Sequence, residues 1–185
     1  MARELGATEK MILKVIGVLA FAGSTLACAI WPNARVSGKS DDTPNTASSI
    51  TLSPGYRDWR LVSVAHEAGK LNDLRAVLGN DLAIDAYRKG DASFPDGAII
   101  ARLAWAYTPS EENNKAFGQE QSFVAGTPTN VQLMVKNEKR FASTGGWGFA
   151  QFTDGKPAPV ESAKGCYSCH SPAKQHDYVF TRYAP

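Results

Sequence analysis

Cys166, Cys169 and His170 specify a chemistry more narrowly than any other residues in this chain. Two thiols three positions apart, with an imidazole directly after the second, make the attachment pattern of a c-type haem. Each thiol adds across one porphyrin vinyl group, and the histidine ligates iron through a neutral ring nitrogen. A bare Cys-x-x-Cys also serves thiol redox pairs and zinc half-sites. The redox pair wants an apolar strand before it, whereas Gly155-Lys156-Pro157-Ala158-Pro159 is turn-like. Zinc wants a second ligand pair, and no further cysteine follows. One covalently held iron porphyrin narrows function to electron transfer, small-ligand binding or redox chemistry at iron.

A sixth iron ligand is hard to find. The chain has three histidines. His176 follows His170 too closely to reach the opposite porphyrin face and reads as a surface residue. His66 lies at a strand end beside Glu67 and Gly69, in a solvated turn. Met134 carries a thioether but sits among alternating strand residues, where packing is its usual role. The iron site is therefore expected to be open.

Such a haem must be held by elements that the pattern also outlines. Ile99, Ala101, Leu103, Trp105 and Tyr107 share one strand face at period two, and Val131, Leu133 and Val135 alternate likewise. Trp59–Ala65 and Gly146–Phe152 read as further strands, and Leu74–Leu78 as a weaker one. A helix is predicted from Asp81, taken as its cap, to Lys89, with Gly90 stopping it. A second leads from Val160 or Ser162 toward the cysteines. The fold class is α+β: one domain dominated by antiparallel sheet, with a few helices and the haem near the C-terminus. Arg102 and Gln132 interrupt these strands on the faces opposite the apolar stripes. On pattern alone both point to solvent from the wet side of a sheet, although the small neighbours Ala104 and Ala106 leave room beside Arg102 for a flat group.

The first 29 residues carry Arg3, Lys10 and Lys14, an apolar run from Met11 to Ala22 and small residues at Ala27-Cys28-Ala29. This is a secretory signal pattern, too short for a comfortable membrane span of about 20 residues. Thr25-Leu26-Ala27-Cys28 loosely resembles a lipidation site, but cleavage after Ala29 fits better. It also removes the third cysteine, leaving no unpaired thiol in an oxidising compartment. The expected location is the periplasm. Residues 30–53, rich in Ser, Thr, Asp, Asn and Pro, read as a flexible tether, and 54–185 as the haem domain. The formal net charge of +2, with no basic block, argues against nucleic acid as a partner.

Taken in order, Tyr56-Arg57-Asp58-Trp59, Phe94-Pro95-Asp96-Gly97, Val135-Lys136 before Arg140-Phe141, Gly146-Trp147-Gly148-Phe149, the haem motif and Val179-Phe180-Thr181-Arg182 resemble the cytochrome P-460 and cytochrome c′-beta family over nearly the whole mature domain. The resemblance implies a periplasmic homodimer of antiparallel sheets with a five-coordinate haem. Its P-460 members oxidise hydroxylamine on a haem cross-linked to lysine. Its c′-beta members lack the link and bind nitric oxide and carbon monoxide. By the same resemblance the cross-linking lysine falls at Arg102, a poor nucleophile. The pocket carboxylate falls near Gln132, which cannot relay a proton as an acid does. Arg102 and Gln132 thereby become distal-pocket candidates, with Phe123 beside a flexible Val124-Ala125-Gly126 stretch as a steric lid.

The leading expectation is a haem protein binding nitric oxide or related N-oxides, served by an unidentified redox partner. The alternatives are hydroxylamine oxidation, with Glu120 or another acid in place of Gln132, and plain electron transfer with Met134 or His66 on iron.

Overall fold

A computed structural model describes residues 49–184. The signal segment 1–29, Cys28 and the first part of the expected tether lie outside the described residues. Six strands pair antiparallel in chain order: β1 (Arg60–Glu67), β2 (Asp73–Gly79), β3 (Ile99–Pro109), β4 (Phe123–Lys136), β5 (Trp147–Thr153) and β6 (Lys156–Pro157). Period-two alternation gives this sheet two buried faces. Ala101, Leu103, Leu133, Ala150 and Phe152 pack on one side, as the stripe through β3 required. Val77, Ile100, Met134 and Phe149 pack on the other, under the helices. Ile50, within the stretch read as tether, is buried against the first of these faces.

Helix α1 (Asp81–Lys89) matches its expected span, but its cap is Asn80 rather than Asp81. The Asn80 side-chain oxygen accepts from the Ala83 and Ile99 amides at 3.1 and 3.0 Å, and its amide donates to the Gly97 carbonyl at 2.8 Å. One residue thus starts the helix and ties it to β3; such caps contribute about 1 kcal/mol. Gly90, at φ 68°, ends the helix in the left-handed region.

Helix α2 (Glu111–Phe117) was not anticipated. It buries no residue, so it has no apolar period to read. Helix α3 (Val160–His170) starts where expected and continues through the haem motif. The Val124-Ala125-Gly126 stretch is not a flexible loop but the first part of β4, paired with Tyr107 and Thr108 of β3. The 14-residue strand crosses two register shifts opposite Trp105, where Pro128 lies. Proline withholds a ladder donor, and the shift absorbs that loss.

Candidate functional site

Positions four and three apart share a helix face, so α3 places Cys166, Cys169 and His170 side by side. Both cysteines are free, Cys166 half-buried and Cys169 exposed. Burial, and then the neighbouring Cys169, raise the Cys166 thiol pKa. It lies in the second half of α3, away from the positive N-terminal end that activates redox thiols. Among the described residues no three His, Cys, Asp or Glu side chains are arranged as a metal site.

His170 is held by its ring. Its Nδ1 lies 2.7 Å from the Tyr178 carbonyl oxygen, which can only accept, so Nδ1 carries the proton. Nε2 is left with its lone pair. Burial lowers the imidazole pKa, the carbonyl opposing it, which favours the neutral ring that binds iron. Phe149 and Phe180 flank the ring at 5.1 and 5.3 Å. This chemistry — two unpaired thiols and a neutral, oriented imidazole on one face — fits a c-type haem.

Phe149 lies on β5, and Gln151, two residues on, shares its sheet face. From Gln151 a polar cluster crosses the sheet. The Gln132 amide donates to Gln151 at 2.8 Å, and Gln132 accepts from Arg102 at 3.2 Å. Register accounts for the row: Gln151, Gln132, Arg102 and Val77 oppose one another on β5, β4, β3 and β2. Arg102 also donates to Asn130 at 3.0 Å and makes a close ion pair with Asp73 of β2. Asp73, 4 % exposed, is bridged in turn by Arg75, which reaches Glu67 on β1 at 3.3 Å. Burial and the Arg75 charge lower the Arg102 pKa while Asp73 raises it. The guanidinium remains cationic at neutral pH.

A family model for cytochrome P460 matches residues 53–181. The chain belongs to the cytochrome P460 family. Membership implies a haem cofactor and iron, in agreement with the chemistry of α3. No curated protein matches the chain significantly.

Of the residues singled out in the sequence, Arg102 and Gln132 meet, on the face that His170 overlies through Phe149. Phe123 is not brought to them: its ring stacks on Tyr107 at 4.2 Å, at the far end of β3. His66 is not in a turn but within β1, exposed, stacked on Tyr107 at 3.8 Å and one position out of phase with Glu67, which faces the polar cluster. His176 is exposed, and Met134 is buried between Ile100 and Phe149. Glu120 is exposed in the segment before β4, and the buried carboxylate of the cluster is Asp73. Asp73 and Gln151 escaped sequence reasoning because each marks a strand edge or an aromatic run. The usable signal was the alternation Asp73, Arg75, Val77, which puts two opposite charges on one face of β2.

Proposed function

We propose that this cytochrome P460 family member is an exported mono-haem c protein that binds nitric oxide or a related small N-oxide at an open iron position. Cys166 and Cys169 would hold the porphyrin by thioethers and His170 would ligate iron through Nε2. The bound haem supplies an iron able to take a diatomic ligand. The chain supplies the polar wall: Gln151, Gln132 and Arg102 offer amide and guanidinium donors, and Asp73 fixes the arginine in place. The observation that carries this reading is the Arg102–Asp73 ion pair beside Gln132. At the position assigned to a cross-linking lysine stands a guanidinium that stays protonated and is neutralised by a carboxylate. Where a free acid would move protons stands an amide already hydrogen-bonded on both sides. Hydroxylamine oxidation lacks both groups here. Electron transfer with a closed iron is disfavoured because His66 is stacked on Tyr107 and Met134 is part of the core. Secretion to the periplasm and a homodimeric state are part of the same proposal.

The test is an absorption spectrum of protein matured with haem attachment, ferric and ferrous, before and after nitric oxide. A high-spin c-type ferrous spectrum that changes with nitric oxide is expected. A strongly red-shifted ferrous Soret band would establish a cross-link and move hydroxylamine oxidation to first place. A low-spin spectrum indifferent to nitric oxide would leave the electron carrier.

A further inference from the structure

His170 owes its orientation to a carbonyl on an unusual stretch of backbone. Asp177 and Tyr178 both adopt left-handed conformations, at φ 51° and 64°, and neither is glycine. Such a conformation is disfavoured for a residue with a β-carbon and persists only where its surroundings hold it. Asp177 is the left-handed cap that ends the 3-10 turn Ser171–His176, where the Asp177 and Tyr178 amides donate to the Lys174 and Ala173 carbonyls at 3.1 and 2.9 Å. From the sheet side the group that meets it is Lys136, at the end of β4 and only 2 % exposed. Its Nζ lies 2.9 Å from Asp177 Oδ1, 2.7 Å from Glu138 Oε1, 3.3 Å from the Gly145 carbonyl and 5.2 Å from the centre of the Trp147 ring. The second Asp177 oxygen accepts from the Phe94 amide at 2.8 Å. The Tyr178 ring closes over Gly145, where any β-carbon would collide with it. Burial disfavours the lysine charge, but Asp177 and Glu138 outweigh that and raise its pKa.

A buried ion pair is weak evidence of stabilisation, because desolvation consumes most of the Coulombic gain. Its placement says more. Asp177 immediately precedes the residue whose carbonyl meets His170 Nδ1, and both of its carboxylate oxygens are tied down. We propose that Lys136 and Asp177 are positioning residues for the haem: they fix the 177–178 turn, hold the Tyr178 carbonyl on His170 Nδ1–H, and so set how strongly Nε2 donates to iron. The proposal rests on His170 being the iron ligand. A short hydrogen bond at Nδ1 makes the imidazole more basic and favours ferric iron. Loosening the turn weakens that donation.

The experiment compares the holoprotein with Lys136→Met, Asp177→Asn, Lys136→Arg and Leu133→Ala by resonance Raman of the ferrous iron–histidine stretch and by redox titration. Lys136→Met and Asp177→Asn are expected to lower the stretching frequency and raise the reduction potential. Lys136→Arg, which keeps the charge, should restore both toward wild type. Leu133→Ala, a core change on the opposite sheet face, should cost stability and move neither. Asp177→Asn is nearly isosteric and decides the matter if Lys136→Met does not fold. Unchanged stretch and potential in Asp177→Asn would overturn the proposal, as would an equal shift in Leu133→Ala. His170→Gly separates the two claims: an unaltered iron spectrum in that variant would remove His170 as ligand and with it the functional reading itself.

Discussion

The two sides of the proposed haem site are held by different physics. On the His170 side the contact group is a main-chain carbonyl, on a turn pinned by one buried lysine and one aspartate. On the Arg102 side every contact is between side chains, drawn from the neighbouring strands β2 to β5. Main-chain geometry answers to a few buried anchors and is indifferent to most substitutions. A side-chain row can change its chemistry strand by strand without disturbing the sheet beneath. On the proposed reading, the His170 side would set the properties of the iron and the Arg102 side what the iron meets.

The largest effect should come from the attachment itself. Cys166→Ser with Cys169→Ser is expected to abolish haem that survives denaturing electrophoresis, whereas Arg102→Leu should leave that haem fully attached. Next comes stability. Lys136→Met leaves Asp177 without its buried cation and should cost about 3–5 kcal/mol in urea unfolding. Arg102→Leu leaves Asp73 with Arg75 and should cost about 1–3 kcal/mol. The reverse order would break the contrast drawn above. Ligand kinetics should sharpen it: Arg102→Leu is expected to change nitric oxide dissociation by about tenfold, or ~1.4 kcal/mol, with no shift in the iron–histidine stretch.

A smaller effect is expected with pH. The Lys136 pKa is raised in the fold, so its contribution is complete below the unfolded lysine value of about 10.4 and is lost as pH rises through the folded value. Wild type should therefore lose stability at alkaline pH more steeply than Lys136→Met. Smallest of all, Phe117→Ser on α2, a helix that buries nothing, should stay within about 0.5 kcal/mol of wild type.

The His170 side was legible because its chemistry is local. Five consecutive residues carry the motif, and a helix brings thiols and imidazole to one face whatever lies elsewhere. The sheet was legible where alternation was clean, as along Ile99–Tyr107. It faded in β2, where charged and small residues interrupt the apolar ones, and in the first part of β4, where small residues and proline carry no period. Arg102 and Gln132 could be singled out as interruptions, and the family resemblance paired them. Asp73 could not be joined to them, because the meeting depends on the register between β2 and β3, which follows from no single segment. Lys136 stood in plain view beside Val135, but its burial comes from Trp147, Gly145 and Asp177, up to 41 residues away.

Strand order carries a last consequence, for how the molecule is made. Each strand pairs with the one before it in sequence, and β1 to β5 are complete at Thr153. Pairings between consecutive segments close short loops and form early. A chain that enters its folding compartment N-terminus first can thus pair β1 to β5 before the segment that carries Cys166 emerges. A haem held by Cys166 and Cys169 would then meet a sheet already built.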